Sequence, residues 1–226
     1  MQPAEGAPAI ESAEWEQAFA AFLTRWVEHL RSHGVDYDRH ANYIIDEPGV
    51  AGGPNVEFHD RNARLFKSAD PRIQIFANLA YGATTEHIET LFETTDIFDP
   101  SWRYPLLYEH LGPILERAET VWTYACGGGV RDLENMTYYW APIWTGARVG
   151  ITGVGFWSYA GRSVDFWQGT TPSGCDWELI YPGNGVIVPS RRWQGLRIGV
   201  EDYARLWMVQ QAAEDARERS DATLKT

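Results

Sequence analysis

The spacing of apolar and polar positions along the chain switches repeatedly between a helical period and short apolar runs. Ser12, with acids at Glu14 and Glu16, opens a helix whose residues Trp15, Phe19, Phe22, Leu23, Trp26, Val27 and Leu30 share one face, and Gly34 ends it. The run Ala41-Asn42-Tyr43-Ile44-Ile45 then reads as a buried parallel strand. A helix around Asn55 to Ser68 leads to a strand from Ile73 to Asn78. A helix near Thr85 to Glu93 leads to a short strand from Thr95 to Phe98 that ends at Asp99-Pro100. The alternation continues with a helix from Leu106 to Ala118, a strand from Val121 to Cys126, an aromatic helix from about Met136 to Arg148, and a strand from Gly153 to Tyr159. Strands separated by helices in this rhythm predict parallel βαβ units. Beyond them, Trp177 to Gly183 and Val186 to Pro189 read as a strand and its return. Ser190 opens a closing helix through Leu196 to Trp207, and Gln211 to Thr226 is expected to fray.

One strand carries candidate chemistry. The run before Pro48 stops at two adjacent carboxylates, Asp46 and Glu47, at the carboxyl end, where α/β folds keep their active groups. Pro48 is expected to push Glu47 into an extended conformation and to delay the next helix. Successive strand residues face opposite sides, so the two acids can converge only where the pleat breaks. The alternative is that Asp46 caps the following helix and Glu47 is solvated. Asn78 falls at the carboxyl end of the next strand.

Composition narrows the partners. The chain has 226 residues, 44% hydrophobic and 22% charged, enough for a sizeable core. A net charge of −12 disfavours a nucleic-acid partner, which requires a basic groove. No run approaches a membrane span, and Met1 to Glu14 lack a basic stretch followed by an apolar one, so no membrane partner is expected. The compartment stays open. Eleven Trp, eleven Tyr and nine Phe suit a core, and also a cleft that stacks on sugar rings.

Other motifs point to no cofactor and no metal. His29 and His33 stand one helical turn apart, but lack the intervening glutamate of a zinc helix. Gly127 to Gly129 and the glycines from Gly150 to Gly155 fit neither phosphate-binding fingerprint, since no Lys-Ser/Thr follows the first and the second precedes or lies within a strand. Cys126 and Cys175 fall on one rim of the predicted sheet and form one disulfide or none.

Several of these stretches together resemble the glycoside hydrolase family 123 and DUF4091 group. They are the strand ending Asp46-Glu47-Pro48, the strand Trp122-Thr123-Tyr124-Ala125-Cys126, Gly155-Phe156-Trp157, Tyr181-Pro182-Gly183, and Ser190-Arg191-Arg192-Trp193 through Arg197-Ile198-Gly199-Val200-Glu201-Asp202-Tyr203. The similarity runs from about Trp15 to Leu206, and its closing motif is the most specific part. It implies an α/β fold: a partial (β/α)8 TIM-type barrel of about five βα units, with a carboxyl-terminal β-hairpin and closing helix. Residues 1–11 are then a loose leader, 12–218 the carboxyl-terminal part of a glycosidase-like barrel, and 219–226 a frayed tail. The missing amino-terminal part of that barrel is an implied partner, and an open half barrel is expected to expose a sheet edge.

The implied activity is substrate-assisted, retaining hydrolysis of a 2-acetamido-hexoside, of the β-N-acetylgalactosaminidase kind. Glu47 is the implied general acid, and Asp46 the group that holds the acetamido N–H. Asn78, Tyr124 and Trp157 are candidates for holding the carbohydrate substrate, with packing in the barrel wall as their alternative. A non-catalytic carbohydrate-binding relative, or a truncated fragment inactive without its upstream half, is the other reading of the chain.

Overall fold

The computed structural model describes residues 8–9, 11–50, 54–79, 82–101, 105–125, 135–160 and 178–224. They form two compact units that divide inside one strand, after Thr123. The elements of the first are α1 (Ala13–Ser32), β1 (Asn42–Tyr43), α2 (Pro54–Ala69), β2 (Ile75–Leu79), α3 (Thr85–Phe92), β3 (Ile97–Pro100), α4 (Pro105–Arg117) and most of β4 (Thr120–Ala125). The second holds the end of β4, then α5 (Asn135–Arg148), β5 (Gly153–Phe156), the hairpin strands β6 (Ile180–Pro182) and β7 (Ile187–Pro189), and α6 (Arg191–Leu224). Five parallel strands in the order β1-β2-β3-β4-β5, joined by helices, give the α/β architecture of a partial TIM-type barrel, followed by an antiparallel hairpin and a helix.

Register fixes which side chains share a face. Asn42 and Tyr43 pair with Ile75 and Phe76, Ala77 with Phe98, Asn78 with Asp99, and Phe98 with Val121. Ile75, Ala77, Leu79, Phe98 and Val121 are buried on the helical side, where Leu23 and Val27 of α1 and Ala63 of α2 close the core around Ile73 and Ile75. The other face of the sheet carries Tyr43, Phe76, Asn78, Asp99 and Trp122. There Tyr43 and Phe76 rings lie 5.5 Å apart, and Phe76 and Trp122 5.6 Å apart.

Helix ends follow the sequence logic. Ser12 caps α1 by accepting the Trp15 N–H at 3.2 Å, and Gly34 takes φ +78° just past its end. Thr84 and His87 form a reciprocal capping box on α3. The apolar face of α1 divides, however. Leu23 and Val27 enter the core, while Phe22 and Trp26 stay 56% and 42% exposed, stacked in a ladder that runs from Trp15 through Phe19. His33 donates from Nδ1 to the His29 carbonyl at 2.9 Å, so its ring closes the last turn of the helix.

Three expectations are corrected. The strand before the acids is not a buried one: β1 is a two-residue edge strand whose Tyr43 is 49% exposed, and Ile44 leaves the ladder to pack on the core. Glu47 is not extended. Its φ is +47°, because its N–H is drawn to Asn78 Oδ1 at 3.0 Å and its carbonyl accepts from Val50 N at 3.0 Å. Pro48 and Gly49, with Gly49 at φ +94°, occupy the central positions of that turn, as a type II turn requires. Finally, the closing helix does not stop at Trp207: α6 runs on as helix to Leu224, with Gln211 bonded to Glu214 at 2.9 Å.

The turn leaves no room for a larger residue at its tip. A Cβ on Gly49 would stand 3.0 Å from Ala83 Cβ and 3.2 Å from Ala83 Cα, in a backbone conformation that L-residues avoid. Gly49→Ala is therefore expected to destabilise the fold by about 1–3 kcal/mol, read as a lower urea midpoint at unchanged slope. An unchanged midpoint would mean that the turn is not packed as described.

In the second unit the closing motif has physical work to do. Gly199 lets α6 approach α5, since a Cβ there would meet Ile143 Cδ1 at 2.6 Å and Trp140 Cα at 3.3 Å. Asp202 Oδ2 accepts the Trp140 indole N–H at 3.1 Å. Arg192, only 6% exposed, donates to the Glu178 carbonyl at 2.6 Å and to the Tyr181 hydroxyl, tying the start of α6 to the hairpin. The expectations for Cys126, Cys175 and Gly127 to Gly129 lie outside the described residues.

Candidate active site

The carboxyl end of β1 and β2 brings three of the expected residues together. Asn78, at the penultimate position of β2, donates from Nδ2 to Asp46 Oδ1 at 3.0 Å. Its Oδ1 accepts the Glu47 N–H and lies 2.9 Å from the Tyr43 hydroxyl, which also donates to Asp46 Oδ1 in a short hydrogen bond. A phenol has one proton to give. Asn78 Oδ1 is already served by the Glu47 amide, so the phenol proton goes to the carboxylate.

The result is a held carboxylate. Asp46 Oδ1 receives two donors, whereas Oδ2 accepts no hydrogen bond among the described residues. Burial of its hydroxyl, followed by the bond to Asp46, pushes the Tyr43 phenol well above its ordinary pKa, so it remains a donor. Glu47 starts the turn in the left-handed region, a conformation that costs on the order of 1–3 kcal/mol and collects at functional positions. Both acids thus sit at a strand-to-loop corner that is packed on Ala83 and pinned by Asn78.

Tyr124 and Trp157 belong to the second unit. Tyr124 is the penultimate residue of β4, and Trp157 follows β5, where its N–H donates to the Ala125 carbonyl at 2.9 Å. Both aromatics therefore stand at the carboxyl end of their strands, with Trp157 58% exposed.

Two further groups stand out that the sequence reading did not single out as functional. Tyr43 is one, and the acid cluster depends on it. The other is Asp99, the register partner of Asn78 at the end of β3, which is 7% exposed with Oδ1 unpartnered among the described residues. Its Asp-Pro step at a strand end repeats the acid-before-proline pattern of Glu47-Pro48, a signal available in the sequence.

Burial alone pushes Asp99 up to about 7. An unfolded aspartate titrates near 3.9, so between about pH 4 and 7 the folded chain holds a proton that the unfolded chain has lost. The stability contributed by Asp99 therefore falls as pH rises through that window and levels off above it. Asp99→Asn is expected to gain stability over the wild type progressively from pH 4 to 7, measured by urea unfolding at a series of pH values. A pH-independent difference would place the Asp99 carboxyl in an ordinary aqueous setting.

At the opposite, amino-terminal end of the strands, Asp38, Arg39, His40, Ala41, Gln74, Phe76, Ile97 and Trp122 line a cavity of ≈ 360 Å³. It contains neither Asp46 nor Glu47, and barrels of this kind work at the other end. Among the described residues no group of three or more His, Cys, Asp or Glu could hold a metal ion, and no helix is long and apolar enough to cross a membrane.

No family model matches the chain, and no curated protein matches it. Among solved structures it is similar to a mutant glycoside hydrolase family 5 mannosidase from Rhizomucor miehei in complex with mannosyl-fructose, at 12% identity and a TM-score of 0.43. The likeness covers 91% of this chain and 65% of that one. A likeness this distant leaves the fold and the function of the chain to be argued from its own residues.

Proposed function

We propose that the chain is a glycoside hydrolase-like domain of the family 123 and DUF4091 kind, which cleaves a 2-acetamido-hexoside with the substrate's own acetamido group as nucleophile. The acetamido carbonyl oxygen attacks the anomeric carbon while the bond from that carbon to the leaving oxygen breaks. Glu47 gives its proton to that oxygen. Asp46 accepts the acetamido N–H and balances the positive charge of the cyclic intermediate. Water then opens this intermediate, Glu47 takes the water's proton, and the anomeric configuration is retained.

The observation that supports this reading is the state of Asp46. One oxygen is fixed by Tyr43 and Asn78, which leaves the other to receive an N–H from a ligand. A carboxylate held this way needs no reorganisation when charge develops beside it. Asn78 is a sugar-holding group on this reading, and three further βα units complete the barrel.

The test is turnover of nitrophenyl 2-acetamido-2-deoxy-β-galactoside against the matching 2-hydroxy galactoside, by the chain alone and joined to its upstream segment. Hydrolysis of the acetamido substrate alone is expected. Equal turnover of both would sink substrate assistance, and binding without hydrolysis would favour the non-catalytic alternative.

A further inference from the structure

Helix α1 carries a second apolar face that its own core does not use. Leu23 and Val27 are buried in the core, whereas Trp15, Phe19, Phe22, Trp26, His29 and His33 follow one another in alternating steps of four and three residues. Their rings form an unbroken series, with successive centroids 5.1, 6.3, 6.5, 6.1 and 4.5 Å apart. Phe19 also meets Phe66 edge-on at 5.4 Å, but Phe22 and Trp26, in the middle of the series, remain 56% and 42% exposed.

The spacing indicates the shape that fits this face. Steps of four and three in strict alternation are the a and d positions of a heptad, the pattern that packs one helix against another. Stacking within α1 does not account for it. Ring pairs along a helix contribute only about 0.2–0.5 kcal/mol each, whereas a large apolar side chain left in water forfeits about 1.5–3 kcal/mol.

Charge indicates which helix. Only two charged residues of α1 flank the rings at the e and g positions, Glu16 toward the amino end and Arg25 toward the carboxyl end. Both are exposed, and neither has an ion-pair partner among the described residues. Such a face complements a copy of itself turned end for end, and antiparallel helix dipoles favour the same order. One register satisfies every requirement. Turned about a point between Ala20 and Ala21, Trp15 meets the second copy's Trp26, Phe19 meets its Phe22, and Glu16 comes level with its Arg25. Ala18, exposed beside Phe19, leaves room for the approach. We propose that this face is an interface between two copies of the chain, which pair through α1 in antiparallel order. The pairing is independent of the carbohydrate reading. Its aromatic seam spans about 17 Å at about 1.5 Å per residue, a small interface, so the dimer is weak and depends on concentration.

Sedimentation velocity of the full chain from about 1 to 200 μM provides the test, in about 150 mM salt so that the net charge of −12 is screened. The wild type should pass from monomer to dimer across that range. Phe22→Glu and Trp26→Glu should each dimerise at least tenfold more weakly, with urea midpoints equal to that of the wild type, because both positions are exposed. Should either variant unfold, Phe22→Gln takes its place with the same expected loss. Glu16→Arg should weaken the dimer about threefold or more, and adding Arg25→Glu should restore it. In a parallel pair each of these residues would lie beside its own copy, and no recovery would follow. A monomer throughout the range overturns the proposal. So does a dimer that survives both Phe22→Glu and Trp26→Glu, which would place the contact elsewhere, as at the edge strand β1. Failure of the double charge reversal to recover overturns the antiparallel order.

Discussion

Asp46→Asn is expected to lower turnover of the 2-acetamido galactoside by roughly 100- to 1,000-fold, the usual cost of removing one preorganised charge-stabilising group. The substitution keeps the shape and leaves an oxygen for Tyr43 and Asn78 to bond, so the cluster around it should stand. What changes is the outer atom. An amide nitrogen there meets the substrate's N–H donor to donor, and the negative charge that balances the cyclic intermediate is gone. The charge develops only as the acetamido oxygen attacks, so the loss should fall on kcat more than on KM. Steady-state kinetics on the nitrophenyl substrate checks this. Full activity in the variant would remove Asp46 from the chemistry.

Glu47→Gln should behave differently, and the leaving group tells the two acids apart. A nitrophenolate departs with little help, so kcat/KM for the aryl glycoside, which reports the departure step, should drop only slightly, while kcat falls because Glu47 also takes the proton of the attacking water. A sugar leaving group needs a full proton, and there the loss should reach about 100- to 10,000-fold. Glutamine preserves the backbone N–H that bonds to Asn78, so the turn itself is undisturbed. Comparing kcat/KM on an aryl glycoside and on a disaccharide checks the prediction. Equal losses on both would mean that Glu47 does not protonate the leaving oxygen.

Much of this architecture could be read from local pattern. The cap at Ser12, the alternation of helices and strands, and the place of Asn78 at a strand end each depend on a few neighbouring residues. Less legible was whatever depends on a distant partner. Pro48 argued for an extended Glu47, and the winning term was a hydrogen bond to Asn78, thirty-one residues away in sequence. Tyr43 sits in a run that reads as a buried strand, and nothing in its immediate neighbours assigns its hydroxyl to Asp46. Asp99 carried a local signal, its proline, yet only register with Asn78 gives that signal a meaning. Gly199 and Arg192 appeared in the sequence as parts of a motif, and their reasons, a helix crossing and a clamp on the hairpin, exist only in three dimensions.

The length of α6 has a consequence of its own. From Trp207 to Ser220 every residue is exposed, so that stretch gains little from burial and depends on contacts within the helix such as Gln211 with Glu214. An isolated helix of this length is marginal in water. Its outer turns should therefore open and close many times for each global unfolding event, at a free energy close to zero. Inward of Asp202, where the Trp140 indole bonds to α6, the same helix shares the fate of its unit. One continuous helix thus spans two regimes of cooperativity, and amide exchange along it would grade from fast to slow toward Gly199.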